Sequence, residues 1–326
     1  MKYARFGKTG LLVSEVCLGT MTFGNESGEA VSREIMDAAL DLGINFFDTA
    51  HNYNKGVTEE IVGRWIGPHR DQIILASKVF FPFGGGRNDE GLSRRNILAS
   101  VERSLRRLNT DYLDIVYLHH WDEHVPVEES VRAMHTAIEQ GKVRYCGVSN
   151  FAAWQAMAAL GAARQHNLHA PVCFQPMYSL IKRQVEVEIL PMAAHEGLAV
   201  VPYNAIGAGV LTGKYLAGGT GRLHETEMYR QRYADPGYME VAGRFVEHAR
   251  ERGVPPAALA MAWVMAHPAV TSTLFGCRNL EQFRDTLQCL DLRLTPEERA
   301  AVSALSPAPP HATDRESMDA MKARGW

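Results

Sequence analysis

The chain has 326 residues, 46% of them hydrophobic, which is enough for a large core and normal for a single α/β barrel. The 34 Lys and Arg against 37 Asp and Glu leave a formal net charge of −3, with both signs interspersed. No strong field invites nucleic acid or an anionic membrane, so small molecules or proteins are the partners to expect, and the charge pattern does not say which protein.

Residues 2–6 and 10–13 read as a small hairpin around Lys8, Thr9 and Gly10. A first short strand over 15–19 runs into the loop Gly19-Thr20-Met21-Thr22-Phe23-Gly24, whose glycines allow a ligand close to the backbone. Ser32 is expected to cap a helix that runs to Leu42 and stops at Gly43. A strand over 44–47, a loop and a helix over 58–66 follow. The rhythm continues with a strand at 73–79, a helix capped by Ser93 and running to Leu108, a strand at 114–119 and a helix at 127–140. Next come a strand at 145–148, a helix at 152–166, a strand at 173–176, a helix at 185–195 and a strand at 198–203. A glycine-rich excursion spans 207–237. Helices at 238–250 and 256–266, a strand at 271–275 and a helix at 280–288 complete the alternation. Thr295 caps one more helix, and the Pro-rich, charged tail 306–326 is expected to drape over the surface or stay loosely ordered.

Eight short strands, each followed by a helix, with continuous rather than alternating apolar runs, indicate strands covered on both faces. The expectation is a (β/α)8 barrel with an N-terminal hairpin and extra helices, spanning 1–326 as one domain because no linker divides it. The five cysteines are widely spaced, with no Cys-x-x-Cys, and read as buried reduced thiols of a cytosolic protein. The N-terminus lacks the apolar core of a signal peptide, and the charge-free stretch 254–277 is broken by Pro255, Pro256 and Pro268, so it is no membrane span.

The chemistry gathers at strand ends, where such barrels carry their active sites. Asp48 ends the second strand, Lys78 the third and His119 the fourth, and Tyr53 lies on the loop after Asp48. Neighbouring strands are about 4.8 Å apart, so these groups can share a pocket. Lysine beside a phenol favours the phenolate and is expected to lower the tyrosine pKa from about 10. Aspartate beside the lysine keeps it charged. The set suits carbonyl reduction: hydride to carbon, a proton from Tyr53 to oxygen, and His119 donating to the carbonyl. Taken singly, the Asp is ordinarily a cap and the Lys a rim charge; their conjunction on consecutive strands carries the reading.

In this order, Asp48, Tyr53, Lys78 and His119 resemble the catalytic tetrad of the aldo-keto reductase superfamily. Phe47-Asp48-Thr49-Ala50 with Tyr53 is similar to its first signature, and the run from Gly141 through Val148-Ser149-Asn150-Phe151 to its second. Gln175 with Tyr178-Ser179 resembles the strand that follows, and Gly209-Val210-Leu211-Thr212-Gly213-Lys214-Tyr215 resembles a loop of the subgroup with potassium-channel β subunits and bacterial general-stress reductases. The resemblance implies an NADPH-dependent oxidoreductase of aldehydes or ketones, with NADH as the alternative nucleotide. Ser149, Asn150 and Gln175 would hold the nicotinamide carboxamide, with Thr20, Met21 and Asp48 also facing the cofactor. Tyr203 would stack on the nicotinamide. Asn204, Ala205, Ile206, Gly207, Gly209 and Lys214 would cover the pyrophosphate, and Gly276, Arg278 and Gln282 would meet the 2′-phosphate. Phe23, Tyr53, Phe80, His119 and Trp121 would line the substrate pocket.

Two departures touch the nucleotide end: Asn204-Ala205-Ile206 replaces the common Ser-Pro-Leu, and Asp285-Thr286 replaces Glu-Asn. No P-loop is present, because Ala208 stands where Walker A needs glycine, and no Gly-x-Gly-x-x-Gly follows a strand. His119 and His120 would point to opposite faces of one strand, so no metal-ligating set is assigned. Two other activities fit parts of the pattern. One is an NADPH-binding redox sensor that regulates a partner. The other is an aldolase using Lys78 as a Schiff base, which Asp48 disfavours by holding the amine charged.

Overall fold

A computed structural model describes residues 1–313. β1 (Tyr3–Arg5) and β2 (Leu12–Ser14) pair antiparallel as the expected hairpin. Its fully buried Phe6 and Val13 join Cys17, Phe46, Ala76, Ile115 and Tyr117 in one apolar cluster, so the hairpin plugs one end of the barrel interior. Phe6 meets Phe46 edge-on at 5.7 Å.

The barrel strands are β3 (Val16–Gly19), β4 (Phe46–Asp48), β5 (Ile74–Val79), β6 (Leu113–Leu118), β7 (Val143–Ser149), β8 (Cys173–Gln175), β9 (Ala199–Val200) and β10 (Thr273–Phe275). They pair in parallel in the order β10-β3-β4-β5-β6-β7-β8-β9. The seam between β9 and β10 is joined by Thr271 N–H donating to Val200 O and Leu274 N–H to Pro202 O, each at 2.9 Å. The outward side chains of these strands, among them Leu18, Phe47, Leu75 and Val116, form the large core under the helices. Both strand faces are therefore dry, which is why the strands read as continuous apolar runs.

The helices are α1 (Glu29–Asp41), α2 (Val57–Ile66), α3 (Arg94–Leu108), α4 (Val127–Glu139), α5 (Ala153–Gln165), α6 (Ile189–Glu196), α7 (Arg222–Glu225), α8 (Glu227–Arg232), α9 (Gly237–Glu251), α10 (Pro256–Met265), α11 (Leu280–Leu287) and α12 (Pro296–Ser303). Ser93 caps α3 by accepting from Asn96 N–H, and Thr295 closes a capping box with Glu298 on α12, both as expected.

Three expectations change. Ser32 lies inside α1, which starts after extended Gly28, and its hydroxyl donates to Gly28 O at 2.9 Å instead of capping. The helix expected over 185–195 is a 3-10 turn (Gln184–Glu186) followed by α6, because Pro191 has no N–H to give the carbonyl of residue 187. The strand expected over 198–203 shortens to β9, because Pro202 cannot donate; Val201 and Tyr203 still donate to Phe174 O and Pro176 O at 2.9 Å. The excursion holds a 3-10 turn (Gly207–Thr212), α7 and α8. Of the tail, residues 314–326 lie outside the described residues.

The first and last strand-to-helix loops are stitched together: Thr22 donates to Cys277 O at 2.8 Å and Ser27 to Arg278 O at 3.0 Å. All five cysteines are free and buried, as expected. Among the described residues, no helix is long and apolar enough to cross a membrane.

Candidate active site

β4 and β5 place Asp48 and Lys78 side by side at the same end of the barrel. Asp48 is 1% and Lys78 2% exposed. The Lys78 ammonium pairs with Asp48 Oδ1, donates to Thr49 O at 2.8 Å and lies 3.2 Å from the Tyr53 hydroxyl. Gln175, at the end of β8, donates to the other Asp48 oxygen at 2.9 Å. Thr20 gives both its N–H and its hydroxyl to Asp48 O, at 3.0 and 2.9 Å. Lysine and amide hold the carboxylate in one orientation, and Thr20 anchors the Asp48 backbone carbonyl.

Tyr53 opens a 3-10 turn whose next residues, Asn54 (φ 46°), Lys55 (φ 54°) and Gly56 (φ 91°), are left-handed. That coil costs free energy for a non-glycine residue, least for asparagine. The Asn54 amide offsets it by donating to Phe23 O at 2.7 Å and to Thr58 at 3.2 Å, which fixes the loop that presents the phenol.

Burial raises the Tyr53 pKa, and Lys78 only partly offsets it, so the net shift is upward. The expected lowering by lysine is present but is outweighed, and Tyr53 rests as the protonated phenol. Burial opposes the charge on Lys78, but Asp48 and Tyr53 outweigh it and the net shift is upward. Lys78 is thus an ammonium, not the free amine a Schiff base needs. Burial also pushes Asp48 up, against Lys78 and Gln175.

His119 follows β6, with its N–H on Val79 O at 3.0 Å. Its ring meets Tyr53 edge-on at 6.3 Å and Phe81 at 4.9 Å. Burial, then Lys78, His51 and His120, drive its pKa well below the ordinary histidine value. It is a neutral imidazole, with Nδ1 unpartnered. The four residues converge in one place, at the mouth of the barrel.

Around that mouth, Ser149 donates to Gln175 O at 2.9 Å. Asn150, left-handed at φ 57°, donates to His119 O at 2.8 Å and accepts from the Tyr203 hydroxyl at 2.6 Å. Burial pushes the Tyr203 phenol up to about 12. Asn204 is also left-handed; it donates to the Tyr233 hydroxyl at 2.6 Å and accepts from Ala208 N–H at 2.8 Å. Ala205 is buried, Ile206 half-buried, and Gly207, Ala208 and Gly209 form a left-handed run. A Cβ on Gly209 would lie 2.7 Å from Lys214 Cε, so the glycine lets that lysine fold back over the loop. Gly276 is exposed, and Gln282 accepts from Arg278 N–H at 3.0 Å. The Arg278 guanidinium is held by Glu26 at 2.9 Å.

The expected pocket residues divide. Met21 is exposed at the rim, but Phe23 is 0% exposed and packs in the core, so it offers no surface to a ligand. Phe80 packs on His120 at 5.2 Å, and its neighbour Phe81 is the ring against His119. Trp121 stands edge-on to Phe151 at 5.4 Å and Trp154 at 5.3 Å. His120 turns away from His119, with Nδ1 on Trp121 O, and Asp122 is taken up by Leu92 and His124 N–H, so this acidic and histidine run forms no joint ligand set.

Several contributors were not legible. Glu26 also pairs with Arg222 of α7 at 2.8 Å, tying the excursion down. The two are separated by 196 residues, and nothing local marks the pairing. Tyr229 of α8 lies close enough to Tyr53 and Tyr203 to disfavour ionisation of both. Behind the tetrad, fully buried Glu59 pairs with Arg107 at 3.2 Å and accepts from Ser77 at 2.7 Å, and Arg107 donates to His51 O at 2.8 Å. Glu59 did carry a signal: it shares an apolar helix face with Val62, Gly63 and Ile66.

The aldo/keto reductase family model matches residues 15–307. The chain is 38% identical over 325 residues to an uncharacterized oxidoreductase YrpG of Bacillus subtilis (strain 168), covering 95% of this chain and 97% of that one. It is 35% identical over 333 residues to a probable voltage-gated potassium channel subunit beta of Oryza sativa subsp. japonica, covering 96% and 99%. It is 30% identical over 328 residues to the versiconal hemiacetal acetate reductase of Aspergillus parasiticus, covering 91% and 95%.

Proposed function

The chain belongs to the aldo/keto reductase family, and on that premise we propose that it reduces the carbonyl group of small aldehydes or ketones, with NADPH as the hydride source. The observation that carries the reading is the Lys78 ammonium, paired with Asp48 and 3.2 Å from a Tyr53 hydroxyl that rests protonated beside a neutral His119.

The residues present fit a nicotinamide nucleotide. Ser149, Asn150 and Gln175 supply the hydroxyl and amides that a carboxamide pairs with, and Tyr203 lies across the same mouth. The left-handed run at Gly207, Ala208 and Gly209, its N–H groups held by Asn204 and Ile206, is a rigid turn with little side-chain bulk, over which a pyrophosphate can lie close to the backbone. Lys214 folds over it and pairs with no carboxylate among the described residues. Arg278 and Arg222, gathered by Glu26, bring two more cations. Bound there, the reduced nicotinamide supplies the hydride.

The chain's own part is proton delivery and orientation. The neutral His119 donates a hydrogen bond to the carbonyl oxygen, which polarises it without adding a proton. Negative charge then grows on that oxygen, and Tyr53 gives up its proton to it. The phenolate left behind is stabilised by Lys78, which Asp48 keeps charged. Lys78 therefore acts when the charge forms, more than on the resting phenol.

Tyr53→Phe tests this directly. NADPH oxidation over a panel of aldehydes and ketones is expected to fall at least about 100-fold, with NADPH binding by fluorescence titration retained. Near-wild-type turnover by the variant would overturn the mechanism. Tight NADPH binding with no turnover by the unmodified protein would favour a regulatory nucleotide-binding role instead.

A further inference from the structure

On the outside of the barrel, three side chains with metal-ligating atoms converge and take no part in the site above. His135 and Glu139 are one turn apart on α4 and share a face. His169, between α5 and β8, comes up against both. Its Nε2 lies 2.7 Å from Glu139 Oε1, and its ring faces that of His135 at 5.0 Å with 36° between the planes. Its backbone N–H reaches His135 Nδ1 at 3.3 Å. One ligand atom from each of the three lies within 4.8 Å of the others.

The backbone prepares this arrangement. Asn167 is left-handed at φ 52° and turns the chain out of α5, and Leu168 N–H returns to Ala163 O at 2.9 Å. Beneath, Val131 of α4 packs with Ala159 and Ala163 of α5, and Leu168 and Ala170 press on that cluster. The histidine is therefore delivered to the helix by a packed segment, not a loose loop. Glu139 pairs with His169 and with no Lys or Arg among the described residues. The hydrogen bond from His169 holds its carboxyl below the usual range, so it is an anion at neutral pH.

We propose that His135, Glu139 and His169 form a binding site for a divalent transition-metal ion of the zinc class. Two imidazoles and one carboxylate are a ligand set for zinc, and the exposure of the cluster leaves a position for water. Nitrogen donors disfavour magnesium and calcium, which take oxygen ligands. Zinc bonds of about 2.0–2.2 Å bring ligand atoms to roughly 3.3–3.5 Å from one another. The cluster reaches that when the His169–Glu139 pair opens from 2.7 Å by roughly 0.6–0.8 Å and the His135 ring, within 4.8 Å, closes toward it. The ion then replaces the proton between His169 and Glu139, and His135 binds through a deprotonated ring nitrogen. It ties α4 to the start of β8. Glu139 and His169 lie just before the N-terminal ends of β7 and β8, the barrel end opposite Tyr53, so the effect is on stability and not on turnover.

The test uses the full chain without an affinity tag, stripped with a chelator. Calorimetric titration with zinc chloride is expected to show one equivalent bound, with a rise of at least about 2 °C in Tm at saturation. Magnesium chloride is expected to give neither. His135→Ala and His169→Ala are each expected to weaken binding at least about tenfold and remove the shift, while NADPH binding stays as in the unmodified protein. No heat and no shift up to about 100 µM zinc would overturn the proposal. So would a titration and shift that survive in the His135→Ala/His169→Ala double variant, because the ion would then be bound elsewhere.

Discussion

Arg107→Met is the substitution that probes most sharply how the tetrad is held. Its guanidinium is the counter-ion of Glu59, which is 0% exposed, and it also caps the carbonyl of His51, two residues before Tyr53. Methionine keeps much of the volume and removes the charge. Leaving a buried carboxylate without its partner costs about 3–5 kcal/mol. Unfolding entropy near about 2.1 cal/mol/K per residue gives about 0.7 kcal/mol/K for a chain of 326 residues. The Tm of the variant is therefore expected to fall by about 4–7 °C at pH 7.5. Burial already raises the Glu59 pKa against the pull of Arg107, so without Arg107 the carboxyl takes up a proton more readily. The deficit should shrink as pH is lowered. Glu59→Gln/Arg107→Met removes both charges and should recover most of the stability. It does not restore the donor to His51 O, so its kcat should stay down by about 10- to 100-fold with NADPH affinity unchanged. Thermal melts at two pH values and steady-state kinetics on the three proteins decide it. A single variant that melts within about 1 °C of wild type would refute the buried-charge reasoning. A double variant with full kcat would refute the positioning of Tyr53 from behind.

Other perturbations have equally definite outcomes. His51 is 0% exposed with both ring nitrogens unpartnered, and burial lowers its pKa from 6.5 to about 4. A lowered histidine favours folding above the unfolded pKa, so this stability is lost as pH falls from about 6.5 toward 4, by up to roughly 3 kcal/mol. His51→Leu should flatten urea stability over that window, and an unchanged slope would contradict the assignment. Glu26→Gln frees Arg278 and Arg222 for a 2′-phosphate and should widen the preference for NADPH over NADH about three- to tenfold in fluorescence titrations; a narrowed preference would count against these arginines as phosphate partners. A Cβ on Gly63 would lie 2.8 Å from Leu108 Cα, so Gly63→Ala should force α2 from α3 and cost about 1–3 kcal/mol in urea unfolding; a variant as stable as wild type would mean that the helices part without strain.

Three of the four grouped residues were readable because they stand at or just past the ends of consecutive strands, and Tyr53 because it lies on the short loop after one of them. Asp48, Lys78 and His119 each sit at or near the stop of an apolar run; parallel pairing puts Asp48 level with Ala76 and Lys78 level with Tyr117, a two-residue stagger per strand that keeps them at one end of the barrel. The direction of the Tyr53 shift was not readable, because it depends on how far burial outweighs Lys78. Phe23 looked like a pocket residue because it follows a glycine loop, but the same loop turns it inward, where its carbonyl serves Asn54 and Thr58. Phe80 and Phe81 cannot be told apart without knowing where the strand twist leaves each ring. The Glu26 pairings and the His135, Glu139 and His169 convergence join segments far apart in the chain, and no local pattern encodes them.

The stitches between the first and last loops set a condition on biosynthesis. Thr22, Glu26 and Ser27 find their partners at Cys277 and Arg278, 251 to 255 residues later. A chain still emerging from the ribosome has made the whole tetrad and the glycine-rich cover long before it has made these partners. Until β10 is out, the ring of strands has a gap beside β3 and the clamp on Glu26 is half assembled. The clamp between the two loops therefore closes only on a chain finished through Arg278, and a nascent or prematurely terminated one holds Asp48, Tyr53, Lys78 and His119 in a ring that is still open.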